Sequence, residues 1–197
     1  MRGILSEVNF MAFSDVIGVL WLIGLLYWIV SARGIKRIVR RESRGMRLAF
    51  LAQAVLTAIL LRPGRWPGWL GDTWIIGGLT RYWIAVAVVA AGLGLSIWAR
   101  RALGRNWSGT VAVKEDHELI QSGPYVWVRH PIYSGILLMI LGTGLASGRA
   151  HGLLAFPIAV SALWLRSRAE ERWMGEVFGE RYAAYRRKSW ALIPPVL

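Results

Sequence analysis

Gly123-Pro124-Tyr125-Val126-Trp127-Val128-Arg129-His130-Pro131-Ile132-Tyr133-Ser134-Gly135 is the stretch on which the reading of this chain turns. It holds two turn signals, an Arg-His pair and two tyrosines, and it leads directly into the apolar run 132–148. Gly-Pro marks a turn, and Pro131 starts or kinks the helix that follows. Ionisable groups at the mouth of a membrane-length segment are costly unless they line a site, so this cluster is a functional candidate by default.

Four further apolar runs surround it, at 14–30, 46–61, 82–98 and 152–165. With 55% hydrophobic residues and a mean hydropathy of +0.43, the chain is too apolar for an ordinary soluble domain. The expected fold is all-α: a polytopic membrane protein with about five transmembrane helices. Only Arg149-Ala150-His151 separates the last two runs, so these should form a helical hairpin. Several runs fall short of the ~20 residues a spanning helix prefers, a mismatch that snorkelling Trp and Arg side chains can absorb. Residues 1–197 read as a single membrane domain, in which 1–98 carry no motif and 99–197 carry all of them. There is no cysteine, which excludes disulfides, thiolate metal sites and a cysteine nucleophile. Many of the 12 tryptophans sit at the ends of apolar runs, where an aromatic belt is expected.

The net charge of +13 does not point to nucleic acid, because the basic residues lie in loops between apolar runs. Seven fall in 31–47, five in 99–131 and seven beyond 165; only Arg2, Arg62, Arg65, Arg81 and Arg149 fall elsewhere. An odd number of spans then places the N-terminus outside and the C-terminus in the cytoplasm. The first run lacks a small-residue cleavage site and reads as an uncleaved membrane anchor. Segment 66–79, rich in Gly and Trp, reads as an outside loop. His151 is expected to be exposed in the opposite loop. Glu170 to Arg187 shows helical spacing of Trp173, Val177 and Phe178 and is expected to form an amphipathic helix at the interface.

The polar chemistry gathers in 99–131 and 166–197: Glu115, Asp116, His117, Glu118, Arg129, His130, Glu170, Glu171, Glu176 and Glu180. His117 and His130 are thirteen residues apart with no HExxH pairing, so no metal is expected. No G-x-S-x-G marks a serine nucleophile. Strands are all but absent, and no glycine-rich loop follows one; a nucleotide-containing cofactor must bind by a non-Rossmann arrangement.

The run LGRNWSGTVAVKEDHELIQSGPYVWVRHPIYSG, with EERWMGEVFGERYAAYRRKSWALIP some thirty residues later, resembles the C-terminal half of the isoprenylcysteine carboxyl methyltransferases, which belong with the membrane phospholipid methyltransferases. The shared elements are RHPxY (Arg129 to Tyr133), the Glu170-Glu171 pair and FGxxYxxY (Phe178 to Tyr185). The resemblance implies S-adenosylmethionine as methyl donor, held in a cytoplasmic pocket built by 99–131 and the C-terminal helix. It also implies an acceptor entering from the bilayer: a prenylcysteine carboxylate, a lipid amine or a small thiol.

The resemblance implies roles for individual residues as well. Arg129, Glu170 and Glu171 are the catalytic candidates. His117, Leu119, Gly123, Tyr125, Arg129, His130, Tyr133, Glu170 and Glu171 are the cofactor-binding candidates. A carboxylate can pair with the donor's ammonium or sulfonium, a tyrosine can add a cation–π face, and Arg129 can fork onto a carboxylate. Leu119 and Ile120 would form a slot for adenine. Adjacent helical residues point ~100° apart, so one glutamate should face the pocket, with Glu171 slightly favoured. Structural readings stand beside these. Taken alone, Arg129 reads equally as a positive-inside anchor; Glu170-Glu171 have a solvated helix start as their structural reading, and Tyr182 and Tyr185 read as packing. Two other functions remain open. One is a membrane reductase of the steroid-reductase type using a nicotinamide cofactor; the other is a non-catalytic polybasic scaffold gripping anionic lipid.

Overall fold

The computed structural model describes residues 2–33, 38–107, 112–114 and 118–194. The described residues form six α-helices: α1 (Arg2–Ser31), α2 (Arg44–Leu61), α3 (Leu79–Leu103), α4 (Pro131–Ser147), α5 (Ala150–Phe178) and α6 (Glu180–Lys188). α2, α5 and the stretch Leu79–Asn106 containing α3 are long and apolar enough to cross a membrane; Val16–Ser31 and α4 are shorter apolar helices. Leu22, Leu25, Leu26 and Ile29 of α1 and Leu48 and Leu51 of α2 remain exposed, as a lipid-facing surface requires. The near absence of strands has one exception. Ile38–Arg41 (β1) pairs antiparallel with Ala112–Lys114 (β2), both outside the apolar runs.

Local chemistry sets the ends of the elements. The Ser43 side chain accepts the Met46 N–H (3.2 Å) and caps α2. Pro131 opens α4, where its missing N–H costs nothing. Gly148 closes α4 in the left-handed conformation, and only Arg149 intervenes before α5, so α4 and α5 are the expected hairpin. The expected helix from Glu170 to Arg187 is not one unit. α5 carries the chain without a break from Ala150 through both glutamates to Phe178, and Gly179, at φ 52°, turns it into α6. A positive φ is cheap only for glycine.

The core lies along α3, α4 and α5. At the crossing of α3 and α4, a Cβ on Gly92 would come 2.5 Å from Gly135 O, so these backbones touch through small residues as membrane helices do. Leu137 and Ile140 of α4 pack on Ala155 and Ala159 of α5, with Leu60 of α2 and Leu192 of the tail in the same cluster. His151 differs from expectation. It is 1% exposed, stacked on Trp66 at 4.9 Å, with Nδ1 2.6 Å from Leu60 O. A neighbouring carbonyl and an indole face make this burial affordable.

Candidate active site

The site forms where the turn Gly123–Val126, the start of α4, the far end of α5 and α6 meet. Residues 127–130 are fixed by the tail. Val128 pairs parallel with Trp190, while Arg129 N donates to Trp190 O (2.8 Å) and His130 N to Ala191 O (3.1 Å). Ser134 Oγ donates to Leu192 O. The Arg-His pair therefore enters α4 on a backbone pinned by the tail.

His130 sits between the two glutamates. Its Nδ1 is 3.4 Å from Glu170 Oε2, and its Nε2 is 3.5 Å from Glu171 Oε1, a contact that lacks hydrogen-bond geometry. The imidazole stacks on Tyr133 at 5.5 Å and 4°. Burial opposes its charge, but the two carboxylates outweigh burial and raise its pKa above 6.5.

The glutamates divide the remaining contacts. Glu171 is buried and takes Arg129 Nε at 2.7 Å, with Arg186 Nε at 3.5 Å. Arg129 Nη1 also donates to Arg186 O (3.2 Å) and to Ser189 O at the end of α6. A cation there suits the partial negative charge of a helix C-terminus. Glu170 accepts from Tyr133 OH and lies 3.6 Å from Arg166 Nε, one turn back on α5.

A cavity of about 160 Å3 opens beside this network. Glu170, His130, Arg129, Tyr133 and Tyr125 line it, together with Leu119, Ile120, Asn106 and Trp173. Tyr182 and Tyr185, both buried, also line it. Tyr185 OH donates to Tyr125 O (2.6 Å). Burial pushes the Tyr185 phenol up to about 12 and raises those of Tyr125 and Tyr182, so all three rings stay neutral. Asn106 Nδ2 donates to Glu118 Oε2 (2.9 Å), while its Oδ1 is buried without a partner.

Residues 80–181, just over half of the chain, match the phospholipid methyltransferase family. The chain belongs to that family. The match runs from α3 to the beginning of α6, takes in Arg129 to Tyr133 and both glutamates, and leaves α1, α2 and the tail outside. Two yeast relatives are protein-S-isoprenylcysteine O-methyltransferases. The Schizosaccharomyces pombe protein is 35% identical over 94 residues, covering 46% of this chain and 40% of the relative. The Saccharomyces cerevisiae protein is 33% identical over 102 residues, covering 49% and 41%. The chain thus spans about two-fifths of the length of these relatives. In fold it is similar to the eukaryotic intramembrane Ras methyltransferase ICMT (isoprenylcysteine carboxyl methyltransferase), with a TM-score of 0.59 and 20% identity over 94% of this chain and 66% of that one.

Within this family member, the structure gathers Arg129, His130, Tyr133, Tyr125, Leu119, Glu170 and Glu171 at one place. Glu170 lines the cavity, and Glu171 sits behind it among the arginines. Gly123 is not in the lining; its φ of 60° shapes the turn against Trp98 and Ala102. His117 lies outside the described residues. No group of three or more His, Asp or Glu suited to a metal occurs among the described residues. Sequence reasoning passed over Arg166, although it stands at i,i+4 from Glu170, a spacing that pairs charges on a helix. Arg186 and Ser189 carried no such signal, because they meet Arg129 only through the fold.

Proposed function

We propose that this protein transfers a methyl group from S-adenosylmethionine to a lipophilic or amphipathic acceptor at the membrane–cytosol interface. The observation that carries the reading is the cavity wall formed by Glu170, His130 and tyrosine rings, in a chain whose family match, residues 80–181, contains Glu170 and His130. S-adenosylmethionine, when bound, supplies an electrophilic methyl on a sulfonium.

The lining fits the chemistry of that donor. Glu170 and the neutral rings of Tyr125 and Tyr182 favour a cation, and His130, whose cationic form the two carboxylates favour, suits the donor's carboxylate. The unpartnered Asn106 Oδ1 can accept from an amino group, and Leu119 and Ile120 offer the adenine an apolar slot. A volume of about 160 Å3 is below the roughly 300–1,000 Å3 of a complete ligand site, so the mouth must widen to admit a nucleoside.

An apolar crevice of about 270 Å3 between α2, α4 and α5 supports a lipophilic acceptor. Phe50, Ala54, Ile140 and Leu163 line it with Thr57, whose hydroxyl donates to Gln53 O (2.9 Å), and with Arg166, which donates to Tyr133 OH (2.9 Å) on the donor side. Catalysis on this reading is the positioning of two reactants with water excluded. A carboxylate or thiolate acceptor needs no base; Glu170 is placed to take a proton from an amine. Arg129 and Glu171 hold the framework by tying α5 to the end of α6. The site would face the cytoplasm, as the loop charges require.

Calorimetric titration of detergent-purified protein with S-adenosylhomocysteine tests the proposal. Saturable binding that Glu170→Gln weakens, followed by methyl transfer to a farnesylcysteine analogue or a lipid amine, is expected. Binding of a nicotinamide cofactor in its place would overturn it in favour of a reductase.

A further inference from the structure

A larger cavity, about 830 Å3, lies at the other end of the bundle, where α2 ends and α5 begins. Ile17 and Trp21 of α1, Val55 and Ile59 of α2 and Ala146 of α4 give it apolar walls. Three of its polar wall side chains are engaged within the protein. Trp21 Nε1 donates to Thr143 Oγ1 (3.1 Å), Thr143 donates to Met139 O (2.7 Å), and Ser147 donates to Gly144 O (3.1 Å). Hydrocarbon can fill such a chamber without stripping any of these groups of a partner. The volume lies within the roughly 300–1,000 Å3 of small-molecule sites.

The rim has the opposite character. Arg62, Arg65 and Arg149 line it, and no carboxylate does so among the described residues. Arg62 and Arg65 are exposed, and Arg149 Nη1 reaches only the carbonyl of Gly64, at 3.3 Å. Three guanidiniums beside a hydrocarbon chamber match an amphiphile with an acidic head. A neutral lipid would leave the arginines uncompensated, and a free anion would leave the chamber unfilled. We propose that this cavity binds one membrane lipid with an anionic phosphate headgroup, its acyl chain in the chamber and its phosphate against Arg62, Arg65 and Arg149. The site is independent of the methyl-transfer reading, and Trp21 stands between this chamber and the crevice that leads to Arg166.

Native mass spectrometry of the full chain tests it, after exchange into detergent with dioleoyl phosphatidylglycerol or dioleoyl phosphatidylcholine at equal mole fraction. Retention of a single phosphatidylglycerol, favoured about tenfold or more over phosphatidylcholine, is expected. Arg62→Gln with Arg65→Gln should lower that retention by about tenfold. Ala146→Phe, which places a ring in the chamber and keeps every charge, should lower it as well. Equal retention of the two lipids by the wild-type chain overturns the proposal whatever the variants do. So does unchanged retention in both variants, or binding of glycerol 3-phosphate as tight as that of the lipid, which would leave the chamber without a role.

Discussion

Two histidines sit at opposite ends of the same helical hairpin, each shielded from solvent and each stacked on an aromatic ring. His130 lies on Tyr133 with its ring nitrogens facing Glu170 and Glu171; His151 lies on Trp66 with Nδ1 facing the Leu60 carbonyl. What separates them is the partner. A carbonyl beside an indole makes a packing element, whereas two carboxylates, three arginines and a cavity make a site able to hold a charged ligand. Burial alone therefore does not distinguish a chemical histidine from a structural one; the charges around it do.

The largest effect that would sharpen this contrast is expected from Glu171→Ala. It leaves the nearly buried Arg129 without its carboxylate, so thermal or denaturant unfolding in detergent should show a loss of about 3–5 kcal/mol. Glu170→Gln should leave the fold in place and weaken S-adenosylhomocysteine binding by about 1.5–3 kcal/mol, read by calorimetry. Unaltered affinity would mean that the cavity wall is mis-assigned. At the other end, His151→Ala strands the Leu60 carbonyl and should cost about 1–3 kcal/mol of stability with donor affinity unchanged. This replaces the expectation of an inert, exposed histidine; loss of donor binding here would break the contrast.

Around neutral pH the dependence of stability on pH is set by His130. Its folded pKa is raised above 6.5, so its ion pairing contributes fully below that value and is lost as pH climbs through the raised folded pKa. The Tm should therefore decline on the alkaline side, and His130→Gln should flatten that slope. The smallest effect belongs to Tyr185→Phe. It removes one hydrogen bond to Tyr125 O for about 1 kcal/mol and should slightly loosen donor binding.

Much of the fold was legible because apolar runs and their punctuation are local. Gly148-Arg149 closes the hairpin as the spacing suggested, and Pro131 starts α4. The join between the fifth run and the acidic pair was not legible. Polar residues from Arg166 onward end the hydrophobic signal, but the α5 backbone continues through Gly175 to Phe178 and turns only at Gly179, whose φ is 52°. Glu170 and Glu171 therefore ride on the same rigid helix that packs against α4.

The candidate site divides along the same line. From the amino-acid order alone came the membrane class, the RHPxY element, the glutamate pair and the family resemblance, all of which depend on residue types at short spacing. Only the tertiary structure decided that Glu170 lines the cavity while Glu171 locks Arg129 to the end of α6. It likewise decided that the tail pins the Arg-His backbone and that His151 is sealed against Trp66. The physical reason is separation along the chain. Arg129 and Ser189 lie 60 residues apart, and His151 and Leu60 lie 91 apart. No local pattern encodes a contact made only after the helices have packed.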